Sequence, residues 1–256
     1  MAVTPKQKAT ITFPKDEYYE KFSSNLKVQF TNNNFGELQT TFVDNSTQGL
    51  QLLTKGETDF AVVRSDIFYN YKTGHANEFV ILGELQYRYI FILISPKSRI
   101  KRQQDLSIFH ERTLVISFYS ESDEGRETWK TLVTHQPDWD NILVNYIDKS
   151  SVKKSISQVL QGDIDALVVV SDPRSLFLNQ FDLDGLEILD LRNFPTTSFP
   201  QPEFKVYGED PNFSGTRLIG DCQKSTIFVR DLLIARPGKK GFLTGSNLKK
   251  IIRELN

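Results

Sequence analysis

The stretch LQLLTKGETDFAVVRSD at residues 50–66 decides the fold, because ISQVLQGDIDALVVVSD at residues 156–172 repeats it without a gap. Gly56 falls on Gly162, Asp59 on Asp165, Val62-Val63 on Val168-Val169, and Ser65-Asp66 on Ser171-Asp172. Each copy reads as an amphipathic helix, a glycine stop, an acidic turn, a buried apolar strand and a polar Ser-Asp end. One such segment is common in α/β proteins. Two in register imply two lobes built alike, and a two-lobed α/β protein is expected to bind a molecule in its cleft.

Outward from the first copy, residues 9–13 (ATITF) predict a strand closed by Pro14. Residues 15–30 carry Tyr18, Tyr19, Phe22, Leu26 and Phe30 at helical spacing. A strand at 38–43, a helix at 47–55 capped from Asp44-Asn45-Ser46 and stopped by Gly56, a strand at 60–63 and a helix to about Tyr71 complete the first lobe. Residues 79–96 read as two strand halves split near Glu84, where the chain crosses to the second lobe. That lobe repeats the order, with strands at 114–118, 143–146 and 166–170 and helices at 120–135, 151–160 and 172–181. A strand at 186–191, a Pro-rich connection at 193–202, a strand at 226–235 and a last helix at 246–255 follow. Alternating strands and helices predict mostly parallel sheets with right-handed crossovers. If the tail returns to the first lobe, that lobe comprises residues 1–88 and 194–256, and the second comprises 89–193.

Composition narrows the function. A chain of 256 residues is long enough for one large core or two modest ones. A net charge of −1 with Lys and Arg spread along the chain gives no footprint for nucleic acid. Cys222 is the sole cysteine, which excludes an intrachain disulfide and a cysteine-based zinc site. His75, His110 and His135 are scattered, with no helical pair for a metal and no Ser or Cys partner in view. There is no Walker loop and no G-x-G-x-x-G. The expectation is a binding protein that is not an enzyme, with no cofactor and no metal.

Four segments carry a resemblance: STQGLQLLTKGETDFAVVRSDIFYNY, LGELQYRYIFILISPKSRIKRQQDL, VNYIDKSSVKKSISQVLQGDIDALVVVSDP and STIFVRDLLIARPG. In this order they resemble the type 2 periplasmic-binding-protein fold, and within it the TAXI family of solute receptors of TRAP transporters. The resemblance implies a two-lobed α/β architecture, each lobe a mostly parallel sheet flanked by helices. It implies a small polar ligand, an amino acid or small carboxylate, over which the lobes close by hinge motion. It also implies a partner in the membrane and an extracytoplasmic setting, with a signal peptide or anchor outside this sequence. The partner is a set of transporter subunits or, in the alternative reading, a signalling module for which this is the sensing domain. A monomer is expected. Two turns depart from the family pattern, FPKDEYY at 13–19 and SESDEG at 120–125. Both lie where the family's ligand sits, so the ligand does not carry over with the fold.

In open α/β sheets ligands bind outside the carboxyl ends of the strands, which nominates the loops at 14–19, 44–46, 64–66, 119–126 and 171–174. Arg64 breaks an apolar pattern that Val170 keeps in the other copy. A guanidinium there either grips a ligand carboxylate bidentately or pairs internally with Asp66 or Asp44. Ser65-Asp66 and Ser171-Asp172 read first as helix caps and second as ligand contacts. Asp44, Ser46, Ser65, Ser120, Ser122 and Ser171 supply polar groups at the strand ends. Arg126 is the basic residue that offsets the acids of SESDEGRE, and those acids disfavour phosphate-type ligands while suiting an ammonium group. Tyr19, Tyr87 and Tyr119 are candidates for an aromatic wall.

Overall fold

The computed structural model describes residues 8–72, 78–107, 113–120, 124–171, 181, 183–191, 194, 206–207 and 226–237. The expected helices at 172–181 and 246–255, the Pro-rich connection, Ser122, Asp172, His75, His110 and Cys222 lie outside that description, apart from Phe181 and Phe194. Two compact units emerge. One ends at Gln86 and resumes at Arg230, and the other runs from Tyr87 to Val229. The crossings lie at 86/87 and 229/230, where the sequence alone predicts 88/89 and 193/194.

In the first unit the strands are β1 (Lys8–Pro14), β2 (Glu37–Val43) and β3 (Phe60–Arg64), with helices α1 (Glu17–Asn32), α2 (Ser46–Lys55) and α3 (Ser65–Lys72). β1 pairs in parallel with both β2 and β3, giving the order β2-β1-β3. The return strand β10 (Thr226–Ala235) adds antiparallel to β3, with Asp231 opposite Arg64. Alternation along β3 sorts the core. Phe60 and Val62 face Tyr19, Phe22, Leu26 and Phe30 of α1, and Ala61 and Val63 face Leu50, Leu53, Ile67 and Phe68 of α2 and α3.

The second unit uses the part of β4 (Val80–Ile94) from Tyr87 onward, β5 (Val115–Ser120), β6 (Leu143–Tyr146) and β7 (Ala166–Ser171), with α4 (Gly125–His135) and α5 (Val152–Gln161). β5 pairs in parallel with β6 and β7, so the order β6-β5-β7 repeats that of the first unit. β4 then lies antiparallel to β7, as β10 does to β3. Short strands β8 (Glu187–Ile188) and β9 (Val206–Tyr207) add to β4 and β10. Trp129 and Leu132 of α4 cover one face, and Val152, Ile156 and Val159 of α5 cover the other. The fold is mixed α/β, with mostly parallel strands flanked by helices. Among the described residues no helix is long and apolar enough to cross a membrane.

The repeat is built from matching bonds. Gly56 and Gly162 end α2 and α5 in the left-handed region, at φ 76° and 86°. The next N–H closes each helix, Glu57 onto the Leu52 carbonyl and Asp163 onto the Gln158 carbonyl, both at 2.9 Å. Asp59 accepts the Thr10 N–H at 2.9 Å, and Asp165 accepts the Val115 N–H at 2.8 Å. In return the Asp59 and Asp165 N–H groups donate to the carbonyls of Thr10 and Val115. Each acidic turn therefore fastens its strand to the amino end of the central one.

Three expectations change. β4 is one continuous strand, because Glu84 lies on an exposed position, bonded to Arg230, and does not interrupt the pleat. The strand expected at 186–191 is only the two residues of β8. Helix α4 starts at Gly125, later than residue 120, since β5 extends to Ser120.

Candidate functional site

The carboxyl ends of β1, β2 and β3 bring together most of the first unit's nominated residues. Ser46 opens α2, and its buried Oγ accepts the Arg64 N–H at 3.0 Å. Ser65 opens α3, and its Oγ accepts the Arg230 N–H at 3.0 Å. It thus ties β3 to β10, in place of the expected helix cap. Arg64 is fully buried and holds Asp66 with two bonds, Nε to Oδ1 at 3.2 Å and Nη2 to Oδ2 at 2.6 Å. Of the two readings of Arg64, the internal pair is formed. Asp66 is thereby a counter-ion and not a cap.

Tyr19 is also fully buried. Its ring stacks on Phe13 at 5.4 Å and its hydroxyl donates to Asp231 Oδ2 at 2.6 Å. Asp44 is open to solvent at 64% and accepts Lys15 Nζ at 2.5 Å. Asn45, between Asp44 and Ser46, is the residue that caps α2, accepting the Gln48 N–H at 2.9 Å. Asp16 caps α1 in the same way, accepting the Tyr18 N–H at 2.7 Å.

In the second unit the matching strand ends hold Tyr119, Ser120 and Ser171. Tyr119 packs into the core against α5, Ser171 is fully buried, and Ser120 is partly exposed. Arg126, in the first turn of α4, is exposed, with its guanidinium 4.3 Å from the centre of the Tyr146 ring. Burial pushes the Tyr146 phenol up, Arg126 opposes that shift, and Glu127 reinforces it. Tyr87 lies apart from the strand ends on β4, 42% exposed, with its ring edge-on to Phe228 at 5.2 Å.

Two residues of the sites escaped the sequence reading. Asp231 had a signal, since Arg230-Asp231 interrupts the apolar run TIFVRDLLIA. Tyr146 had none, because an aromatic at a strand end looks like core. Among the described residues no group of three or more His, Cys, Asp or Glu could hold a metal ion.

No protein-family model matches the chain, and no curated protein matches it in sequence. Solved structures do match. The periplasmic aliphatic sulphonate-binding protein SsuA from Escherichia coli is 14% identical with a TM-score of 0.55, over 98% of this chain and 73% of that one. Lactococcal OpuAC, in its closed form with glycine betaine, is 12% identical with a TM-score of 0.55, over 98% and 84%. The substrate-binding protein of an amino acid ABC transporter is 12% identical with a TM-score of 0.52, over 97% and 93%. At such identities the likeness concerns the backbone. The chain has the fold of periplasmic solute-binding proteins.

Proposed function

We propose that the protein is a solute-binding protein that takes a small polar molecule, an amino acid or small carboxylate, and presents it to membrane transporter subunits. The observation that carries this reading is the repeated parallel arrangement β2-β1-β3 and β6-β5-β7. Its carboxyl ends bear charged and hydroxyl groups, where open α/β sheets bind ligands. The likeness to binding proteins supports the same class. The order of the four sequence segments supports a TRAP partner of the TAXI kind, and an extracytoplasmic location follows from that partner. The protein acts as a monomer without a cofactor.

Within this reading Asp44, Ser120 and Arg126 are the nominated strand-end groups that meet solvent, and they meet the ligand, with Tyr87 as an aromatic contact. The other nominated residues are buried within their own units, Tyr19, Ser46, Arg64 and Ser65 in the first and Tyr119 and Ser171 in the second. Ser122, nominated with them, lies outside the described residues.

A thermal-shift screen of amino acids, dicarboxylates and small cations tests the class, because a ligand bound only by the folded state raises the midpoint by mass action. At a ligand concentration of about 100 times Kd the stabilisation is about 2.7 kcal/mol. A specific member should raise the midpoint by several degrees and its close analogues should not. A flat response across the panel would refute the reading. Arg64→Ala, compared with its own unliganded midpoint, asks whether the buried guanidinium takes part. An unchanged shift removes it from the site, and a loss assigns it to the ligand only where the double variant Arg64→Met, Asp66→Leu, which removes the stranded charge, loses the shift as well.

A further inference from the structure

The basic residue nominated first, Arg64, is buried against Asp66, whereas Arg126 is exposed and rests on an aromatic face. We propose that Arg126, held on the face of Tyr146, grips the carboxylate of the ligand, with Tyr146 as its positioning residue. The inference deepens the solute-binding reading and rests on it.

Several observations converge on this pair. Arg64, Arg99 and Arg230 each hold a carboxylate, those of Asp66, Asp165 and Glu84. Among the described residues no carboxylate lies within ion-pair distance of Arg126. The nearest acid along the helix, Glu127, is engaged by Lys130 at 2.8 Å. An exposed arginine ordinarily samples many rotamers. With its central carbon 4.3 Å from the ring centre it is held by the cation–π attraction, and a guanidinium carries its N–H donors along the edge of its plane. That edge is the fork that matches a carboxylate bidentately.

The support beneath the pair is rigid. Tyr146 is the last residue of β6, in register with Phe118 of β5, and the Ile147 N–H donates to the Phe118 carbonyl at 3.0 Å. A Cβ on Gly125 would stand 2.8 Å from Phe118 Cδ1 and 3.5 Å from Tyr146 Cδ1. The first turn of α4 therefore presses on the Phe118 ring more closely than a Cβ would allow and meets the Tyr146 ring at ordinary van der Waals distance. Position and charge agree. The pair sits at the carboxyl ends of parallel strands, and a single guanidinium beside Glu127 suits a monoanionic carboxylate better than a dianionic phosphate.

The test uses the whole chain and a defined panel: the proteinogenic amino acids, monocarboxylates and dicarboxylates of two to five carbons, and the carboxamide of whichever acid binds. Titration calorimetry on the wild type comes first. Arg126→Gln should weaken the acid at least tenfold and leave the weaker binding of its carboxamide within about twofold. Tyr146→Leu should weaken the acid about three- to fivefold, and Tyr146→Phe, which keeps the ring face, should restore most of that loss. Matching tryptophan fluorescence and melting midpoints check that the variants are folded. Equal losses for acid and carboxamide would make the pair structural and overturn the proposal, as would unchanged acid binding in Arg126→Gln. If no panel member binds the wild type, the solute-binding reading itself fails and the proposal falls with it.

Discussion

Replacing Arg64 by Met while leaving Asp66 in place should cost the protein about 4 kcal/mol. Neither side chain of the pair is exposed at all. Among the described residues, both hydrogen bonds accepted by the Asp66 carboxylate come from Arg64, at 3.2 and 2.6 Å. With charge centres about 4 Å apart, an effective dielectric of about 20 gives roughly 4 kcal/mol. Removing one partner of a buried pair is expected to cost about 3–5 kcal/mol, because the other charge is left without water or counter-ion. Methionine fills much of the arginine's volume, so little of the loss comes from a cavity. With a urea m-value of about 2 kcal/mol per M, the midpoint should fall by roughly 2 M.

The assay can separate the two units. Both tryptophans, Trp129 and Trp139, lie in the second unit, stacked 5.8 Å apart, so their fluorescence reports on that unit. Far-UV circular dichroism reports on both. In Arg64→Met the dichroism transition should shift at least as far as the fluorescence transition, and ahead of it if the first unit opens alone. Adding Asp66→Leu removes the stranded charge and should recover at least half of the loss, since buried pairs exchange for apolar ones at little cost. A loss below about 1 kcal/mol in the single variant would refute the reasoning. So would a double variant no more stable than the single one.

Three further outcomes are expected. Gly162→Ala should destabilise by about 1 kcal/mol in urea unfolding, because φ is 86° and no atom lies within 4 Å of the new Cβ, leaving backbone strain as the only cost. Asp165→Ala removes the acceptor of the Val115 N–H and the partner of Arg99. It should cost about 1–3 kcal/mol and speed hydrogen exchange at Val115, and unchanged exchange would contradict the clamp. Burial holds the His135 imidazole below its ordinary value of 6.5. The unfolded chain then takes the proton more readily, so this contribution to stability is complete above 6.5 and is lost as pH falls through the lower folded value. Melting midpoints between pH 7.5 and 5 should fall less steeply in His135→Gln than in the wild type, and equal slopes would remove His135 from the account.

The repeat was legible because its signals are local. A glycine after an amphipathic helix and an apolar run after an acidic turn are each decided within a few residues, and Gly56 and Gly162 adopt the backbone their positions require. What Asp59 and Asp165 do was not legible, because each clamps a strand 49 or 50 residues away in sequence. The continuity of β4 was hidden for a related reason. A charge reads as a break, yet Glu84 sits on an exposed position and bonds to Arg230, 146 residues further on.

The same limit governs the two arginines. Arg64 breaks an apolar pattern, but a buried charge must carry a partner with it, and Asp66, two residues along the chain, is one here. Arg126 broke no pattern, since it lies among acids on a polar helix start. It became distinct only when the end of β6 placed the Tyr146 ring beneath it. In this fold a charge that interrupts a strand is accounted for by the core it enters. A charge at a strand end, held by a ring and exposed to solvent, retains its capacity to bind. The site is therefore sought where a charge is held by a ring and, among the described residues, forms no ion pair, as Arg126 does on Tyr146.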